Sequence, residues 1–322
     1  MASRFAVCNG DADGLCAAVQ WQLHDPAPAV LVTGMKREIA LLERVVAARG
    51  DEVDVFDLSF DRNRAAVLRL LAAGVRVRYF DHHAATDLPT HPLLEAHIDL
   101  ASDVCTSLLV DRRIAGACRR WALVGAYGDN LSAVADALAH ASRIDAAERA
   151  LLRRLGEAIN YNAYGDPADA TLAPARLFEI MSRYDDPRDM LAQESVAADI
   201  EARRQADLER AGDLPPRWQA ASGTVHVLPD APWSRRVLGC LANALANAEP
   251  ERAHAVLKAE GDGYAVSVRA PLRSPWGAHE LCHAFGGGGR ARAAGIDRLA
   301  AADVDRFTAA FANASWARSG PS

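Results

Sequence analysis

The sequence lacks the cysteine patterns that cross-link small secreted domains or bind zinc. Its six cysteines are scattered and form no Cys-x-x-Cys pair, so we expect neither a disulfide framework nor a cysteine-based metal site. The N-terminus has no basic stretch leading into an apolar run, and no window of about 18 residues is apolar and free of charge. We therefore expect a reduced, cytoplasmic protein that is not exported and does not span a membrane.

The sequence also lacks an excess of basic residues. The formal net charge is −6, and lysine is scarce. A protein that binds long nucleic acid neutralises many phosphates with lysine and arginine, so this charge argues against long nucleic acid as the partner. A local basic patch is still compatible with the composition.

A chain of 322 residues is long enough for two domains. In the first part, short apolar runs alternate with helix-like segments, which predicts an α/β domain with a parallel sheet. A long helical stretch then ends at Gly212-Asp213-Leu214-Pro215-Pro216, and strand-like runs resume after it. We predict a first domain over residues 1–185, a helical linker over 186–216 and a smaller α/β domain over 217–322.

The stretch Tyr79-Phe80-Asp81-His82-His83 places an acid and two imidazoles directly after an apolar run that is typical of a strand. In α/β sheets, ligands bind at the carboxyl ends of the strands. These three side chains are poor core material, because each needs a partner once it is removed from water. Taken alone, the stretch is equally compatible with a surface loop that carries a histidine pair.

Acidic residues follow other predicted strands as well. Asn9, Asp11 and Asp13 follow the first apolar run, and Asp57 ends the third. Carboxylates as close as Asp11 and Asp13 repel each other unless a cation or a proton lies between them. A helix cap by Asp13, with Asp11 solvated, would explain this turn without a cation.

The predicted first domain contains a further acidic residue after a helix and a further predicted helix. Asp129 follows an apolar helix that ends at Gly128, so it either adds a carboxylate to the site or caps the next helix. Between the second and third strands, residues 37–48 are predicted to form a helix, with Gly50 as its stop.

The C-terminal part contains four consecutive glycines, Gly286 to Gly289, followed by Arg290 and Arg292. Glycine lets backbone N–H groups approach a ligand closely, and arginine beside it suits an anion such as a phosphate. Arg269 lies on a neighbouring predicted strand and strengthens the prediction of a binding site. A flexible surface loop is the alternative for the glycine run alone.

The predicted strand and helix ends together supply six oxygen or nitrogen donors: Asn9, Asp11, Asp13, Asp57, His82 and Asp129. This mixture of carboxylate and imidazole suits a pair of divalent ions such as Mn²⁺, with one aspartate bridging them. Two such ions polarise a phosphate ester and activate water near neutral pH. The chemistry that this pattern indicates is phosphoester hydrolysis.

The order and form of these motifs resemble the DHH phosphoesterase superfamily. The matching motifs, in chain order, are Asn9-x-Asp11-x-Asp13-Gly14, Asp57, Asp81-His82-His83, Gly128-Asp129 and Gly287-Gly288-Gly289-Arg290-x-x-Ala293-Ala294-Gly295. The last is similar to a motif of the smaller DHH-associated C-terminal domain. The resemblance spans nearly the whole chain. It implies a metal-binding catalytic domain over 1–185, a substrate-binding domain over 217–322 and an active site in the cleft between them.

The resemblance also implies a role for each matched residue. The ligands of two divalent ions would be Asn9, Asp11 and Asp57 for the first ion and Asp13, Asp57, His82 and Asp129 for the second. Asp81 would orient its neighbours, and His83 would contact the scissile phosphate. The other phosphate of the substrate, or its bases, would bind Arg269, Gly288, Gly289 and Arg290.

Two positions depart from the pattern of the superfamily. Asn9 stands where histidine is usual, so the first ion is expected to bind more weakly or through water. Arg290 also replaces a common histidine, and its permanent charge suits a terminal phosphate. No carboxylate is lost, so we expect an active enzyme. A nucleotide-binding sensor without catalysis is the alternative, and Asn9 is its support.

Within the superfamily, the two-domain plan resembles the nanoRNases and the phosphodiesterases of linear or cyclic dinucleotides. The form Asn-Gly-Asp-Ala-Asp-Gly is similar to that of a bacterial branch that hydrolyses pGpG, which is an argument by analogy. We therefore expect hydrolysis of short 5′-phosphorylated oligonucleotides or linear dinucleotides to mononucleotides. Another small phosphorylated substrate and a homodimeric state are open alternatives.

Overall fold

The first five strands of the chain form one parallel sheet. The structure is a computed structural model that describes residues 2–316. The strands are β1 (Arg4–Asn9), β2 (Val30–Gly34), β3 (Glu52–Phe56), β4 (Arg76–Asp81) and β5 (Leu94–Ile98). Their order across the sheet is β2-β1-β3-β4-β5, and every neighbouring pair is parallel. The carboxyl ends of all five strands therefore lie at one edge.

Helices connect these strands and continue the first of two compact units, which runs to Ala202. They are α1 (Ala12–His24), α2 (Phe60–Ala72), α3 (Thr106–Arg113), α4 (Arg119–Gly128), α5 (Ser132–Ala141), α6 (Ala146–Asn162), α7 (Pro174–Met181), α8 (Pro187–Gln193) and α9 (Val196–Gly212). Short 3₁₀ turns lie at Leu41–Arg44 and Pro167–Asp169. The second compact unit begins at Arg203, within α9.

The sheet of the first unit is buried on both faces. Val55 and Tyr79 belong to the core that α2 covers. The next residues along the same strands, Phe56 and Phe80, stack at 5.7 Å between ring centroids, and Trp21 of α1 lies 5.3 Å from Phe80. Successive side chains of a strand point to opposite faces, so α1 and α2 lie on opposite sides of the sheet. The strand ends that carry polar residues are thus held on a rigid frame.

Residues 37–48 do not form the predicted helix, so that prediction was wrong. Within this fully described segment, the helical structure is the 3₁₀ turn Leu41–Arg44. Side chains of α2 form hydrogen bonds with the backbone of this segment instead. Asn63 accepts a hydrogen bond from the Leu42 N–H at 3.2 Å, and Arg69 donates one to the Leu42 carbonyl at 3.3 Å. Because these partners replace helical hydrogen bonds, the segment packs on the core without coiling into a helix.

The second unit is built on a mixed sheet. Its strands are β6 (Trp218–Ala220), β7 (Gly223–Leu228), β8 (Ala253–Glu260), β9 (Gly263–Arg269), β10 (Gly288–Arg290) and β11 (Ala293–Ala300), in the order β10-β11-β9-β8-β7-β6. The pair β7 and β8 is parallel, and the other neighbouring pairs are antiparallel. The remaining elements are α10 (Pro232–Ala248), α11 (Ala278–His283), a 3₁₀ turn (Ala301–Asp303) and α12 (Val304–Ala312).

Part of the glycine run is a strand, since β10 forms a hairpin with β11 through Ala291 and Arg292. The core of this unit includes Val268, Leu257 and Phe307, all of which are fully buried. None of the helices within residues 2–316 is long and apolar enough to cross a membrane.

Candidate metal centre

The turn after β1 brings three of the predicted donors together. Asp11 caps α1, because its Oδ1 accepts the Gly14 N–H at 3.0 Å. The alternative that Asp13 caps this helix is therefore wrong. The amide oxygen of Asn9 accepts the Asp11 N–H at 3.1 Å. A Cβ at Gly10 would lie 1.9 Å from the Gly34 carbonyl oxygen. Only glycine therefore allows this turn to lie so close to the end of β2.

Asp13 is fixed by the first residues of α3. Its two oxygens accept the N–H groups of Thr106 and Ser107, each at 2.7 Å. Backbone N–H groups at a helix N-terminus favour a carboxylate. The side chain of Asp13 is 1% exposed, and its Oδ2 lies 3.9 Å from the Nε2 of His82. The carboxylate is thus held at the carboxyl end of the sheet with both oxygens already hydrogen-bonded.

Asp57 follows β3 in a left-handed backbone conformation, with φ of 57°. A non-glycine residue in this region is strained, and such strain is often found at functional sites. Its Oδ1 accepts a hydrogen bond from the Thr106 hydroxyl at 3.2 Å and lies 3.3 Å from the Nε2 of His82. Burial, followed by the charges of Asp11 and Asp13, raises the pKa of Asp57 to about 7, and His82 opposes this rise. The three carboxylates are thus crowded, and a cation would relieve the repulsion.

Asp81 contacts the backbone of His82 and the imidazole of His83. Its Oδ1 accepts the His82 N–H at 2.8 Å and lies 2.7 Å from the Nδ1 of His83. Its other oxygen is buried and has no hydrogen-bond partner among the described residues. Asp81 is fully buried, whereas the side chain of His83 is 42% exposed. The predicted orienting role of Asp81 remains a proposal, and these contacts support it.

The tautomer of His82 follows from its hydrogen bond. Its Nδ1 lies 2.9 Å from the Val104 carbonyl, and a carbonyl only accepts, so Nδ1 carries the proton. Nε2 then offers its lone pair toward Asp13 and Asp57, as a metal-binding histidine does. Burial lowers the pKa of His82, but the carboxylates of Asp57, Asp129 and Asp13 outweigh it and raise this pKa to about 10. In the absence of a metal ion, a proton therefore takes the place between imidazole and carboxylate.

Asp129 is brought to this edge by the close packing of α4. It is the residue that follows α4, and its Oδ2 lies 3.9 Å from the Nδ1 of His82. A Cβ at Gly128 would lie 2.3 Å from the Cβ of Ala12, so glycine lets α4 end directly beside the start of α1. The side chain of Asp129 is 23% exposed, which leaves it accessible to a ligand.

Lys36 is a residue of the centre that the sequence analysis missed. Its ammonium group donates to the Oδ2 of Asp11 at 2.5 Å and to the Oδ1 of Asn160 at 3.0 Å. Burial lowers the pKa of Lys36, but Asp11, Tyr164 and Asp129 outweigh it and hold this pKa well above the ordinary value. One signal was present in the sequence, since Lys36 is one of two lysines in an arginine-rich chain and follows a predicted strand.

The donors fit one divalent ion well. The ligand atoms of Asp57, His82 and His83 lie within 4.8 Å of one another, and oxygen with imidazole donors suits Mn²⁺. The set predicted for another ion, Asn9 and Asp11 with Asp57, fits less well. Gly14 and Lys36 already bind the two oxygens of Asp11.

The predicted substrate-binding residues lie in the second unit. Arg269 and Arg290 both pair with Ala293, from β9 on one side and β10 on the other. Residues directly opposite each other in a sheet point to the same face, so both arginines lie on one face with the small side chain of Ala293 between them. Arg269 is held in place by its hydrogen bond to the Oδ1 of Asn243 at 2.6 Å. This row is suited to an anion.

No protein-family model and no curated protein sequence matches the chain, but solved structures match its fold. A DHH-domain protein described as a member of a family of ribosomal proteins is 13% identical, with a TM-score of 0.69, over 97% of this chain and 86% of its own. The pGpG-specific phosphodiesterase PggH from Vibrio cholerae is 14% identical, with a TM-score of 0.56, over 96% of this chain and 97% of its own.

RecJ from Thermus thermophilus, in complex with Mn²⁺, is 21% identical, with a TM-score of 0.61. The match covers 95% of this chain and 51% of RecJ, so the chain spans about half the length of that protein. At these identities the likeness shows the fold. The predicted fold class is confirmed, with a parallel sheet in the first unit and a smaller α/β unit after it.

Proposed function

From the fold that this chain shares with DHH-domain proteins, we propose that it is a metal-dependent phosphodiesterase. Its substrates would be short 5′-phosphorylated oligonucleotides or linear dinucleotides such as pGpG, which it would hydrolyse to mononucleotides. The observation that carries this proposal is the convergence of Asp57, His82 and His83 at the carboxyl end of the parallel sheet. The proposed ion is Mn²⁺. Of these three residues, Asp57 and His82 belong to the predicted ligands, together with Asn9, Asp11, Asp13 and Asp129, whereas His83 is the predicted contact of the scissile phosphate.

The side chains of the centre would have different roles in hydrolysis. A bound Mn²⁺ ion would supply a Lewis acid that polarises the phosphate ester and makes water nucleophilic near neutral pH. The Val104 carbonyl fixes the ring of His82 and Asp81 fixes the ring of His83, each through Nδ1, so the Nε2 of His82 is directed toward Asp57. His83 is the more exposed of the two, so it is the one that can contact the scissile phosphate. Because its Nδ1 donates to Asp81, its Nε2 donates a hydrogen bond to the phosphate when the ring is protonated.

The substrate class rests on two further observations. PggH, which has the same fold and nearly the same length, acts on pGpG. The face that Arg269 and Arg290 share has the charge and the donors to bind a second phosphate. A net charge of −6 argues against a long strand, whose binding depends on many phosphate contacts. We infer a substrate with one phosphate to cleave and a second phosphate to bind.

Turnover of pGpG separates this proposal from a nucleotide-binding sensor, for which Asn9 is the support. We expect guanosine monophosphate to appear when the protein is mixed with pGpG and Mn²⁺, and to disappear when a chelator is added. His83→Gln should lower kcat by about a hundredfold or more while pGpG still binds. His140→Gln, an exposed histidine of α5, is the matched control and should have the wild-type rate. Binding of pGpG without turnover by the wild-type protein would contradict the proposal and favour the sensor.

A further inference from the structure

We propose that the ammonium group of Lys36 takes the place of the first divalent ion at Asp11, so that the folded chain binds one divalent ion instead of two. The inference rests on the proposed function, because it concerns the ions of that same centre. It alters the expectation of two ions that the sequence pattern gave. Its basis is the set of contacts that Lys36, Asp11 and Asn9 make within the first unit.

Lys36 is held in position at both its backbone and its side chain. Its backbone N–H donates a hydrogen bond to the Ala163 carbonyl at 2.9 Å, and its own carbonyl accepts one from the Nδ2 of Asn9 at 3.2 Å. Its ammonium group contacts Asp11 and Asn160 and lies 5.3 Å from the ring centroid of Tyr164. The side chain is 26% exposed. A lysine with this many anchors is a built part of the centre and not a mobile surface side chain.

The ligand atoms that a first ion would need from Asp11 and Asn9 already accept hydrogen bonds, one of them from Lys36. One oxygen of Asp11 accepts the Gly14 N–H, and the other accepts the Lys36 ammonium at 2.5 Å. The amide oxygen of Asn9 accepts the Asp11 N–H. A small divalent cation requires several ligands in a defined geometry. The remaining predicted ligand of this ion, Asp57, is shared with the other ion.

Asn9, the residue that departs from the usual histidine, supports the same arrangement. Its amide group accepts from Asp11 and donates to the Lys36 carbonyl, so it ties the segment after β2 to the turn after β1. An asparagine at this position therefore has a structural role that does not require it to bind a metal ion. The amide stabilises the loop that carries the lysine to Asp11.

Lysine suits a cation position better than arginine. Its ammonium group is a compact point charge with three donors, whereas guanidinium is a wide planar fork. The chain contains 36 basic residues, and two of them, Lys36 and Lys258, are lysines. Since arginine is used almost everywhere else, the presence of lysine at this site agrees with a demand for a compact cation.

The number of Mn²⁺ ions per chain tests the inference. Equilibrium Mn²⁺ binding and electron paramagnetic resonance of the wild-type protein should give one ion per chain with the six-line spectrum of an isolated ion. Lys36→Met should bind a second ion, and two ions about 3.5–4 Å apart should give a spin-coupled spectrum. Arg37→Met removes a positive charge from the exposed neighbouring residue and should still bind one ion.

Two results would overturn the inference. The first is two ions per wild-type chain, a measurement that needs no variant to fold. The second is a folded Lys36→Met protein that still binds one ion. Two ions together with pGpG hydrolysis would remove the inference and leave the proposed function intact. A wild-type chain that binds no Mn²⁺ and does not hydrolyse pGpG would remove both.

Discussion

Asp57 is the residue on which the candidate centre depends most. It combines a left-handed backbone with a carboxylate placed among Asp11, Asp13 and His82. Burial and its acidic neighbours raise its pKa to about 7, so its ionised form is less favourable than that of an ordinary aspartate. We propose one explanation for the strain and the crowding, which is that the fold positions this carboxylate for a ligand.

Asp57→Asn should remove metal binding without weakening the metal-free protein. With chelator present, we expect a melting temperature no lower than that of the wild type, because the variant loses a crowded carboxylate. Mn²⁺ at about a hundredfold its Kd should stabilise the wild type by about 2.7 kcal/mol and leave the variant unchanged. Thermal unfolding with and without Mn²⁺ is the measurement. Asp103→Asn, at an exposed aspartate, is the control, and an equal Mn²⁺ response in Asp57→Asn would contradict the ligand role.

Arg290→Ala should weaken recognition of a terminal phosphate. We expect KM for pGpG to rise about tenfold, for a lost contact of about 1.5–3 kcal/mol, with kcat little changed. The variant should also lose the preference for pGpG over GpG, which has no 5′-phosphate. Arg298→Ala serves as the control, since Arg298 is 74% exposed and pairs with Asp262. A variant that still distinguishes pGpG from GpG as the wild type does would exclude Arg290 from this role.

The residues that could be predicted are those that a strand delivers directly to its carboxyl end. Asn9, Asp57 and Asp81 lie at or just after such ends, so a parallel sheet brings them together. Lys36 and Asn160 could not be predicted in the same way. Their contact spans 124 residues of sequence, and it depends on the packing of α6 near the end of β2. Packing between distant elements leaves no local pattern in the sequence.

At the scale of elements, the strands and most helices follow from their apolar patterns, and residues 37–48 do not. The predicted helix failed because Asn63 and Arg69, on the following helix, supply the hydrogen bonds of this segment. Local propensity was overridden by partners that lie more than 20 residues away. A helix predicted from local sequence alone is thus a weak inference wherever a neighbouring helix carries buried polar side chains that can bond to the segment's backbone.

The sheet of the first unit also depends on a buried carboxylate. Asp54, on β3, accepts hydrogen bonds from Arg4 at 2.8 Å and from Arg78 at 2.6 Å. Burial raises the pKa of Asp54 in spite of both arginines. A carboxylate that loses one of these partners would keep its desolvation cost and lose part of its compensation.

Arg78→Met should therefore destabilise the first unit by about 1–3 kcal/mol. Urea unfolding followed by tryptophan fluorescence is suitable, because Arg78 lies 4.8 Å from the ring centroid of Trp21. Arg76→Met is the matched control on the same strand. Its ion pair with Glu52 is exposed and 3.6 Å long, so a change within about 0.5 kcal/mol is expected. Equal effects of the two substitutions would show that Asp54 does not depend on Arg78.

At the scale of the whole molecule, the two units carry chemically different groups of residues. The first unit carries the crowded carboxylates and imidazoles, and the second carries the arginine row on its mixed sheet. The net charge of −6 argues against a long strand, whose binding depends on many phosphate contacts. Together these features favour a small substrate with a phosphate to cleave and a phosphate to bind.

The central claim is tested most directly by comparing kcat/KM, in the presence of Mn²⁺, for pGpG and for a 5′-phosphorylated strand of about 20 nucleotides. We predict a value for pGpG that is at least about tenfold higher, mononucleotide products, and no turnover of either substrate in chelator. Equal values for the two substrates would contradict the preference for short substrates. Undiminished hydrolysis in chelator would contradict the metal-dependent mechanism itself.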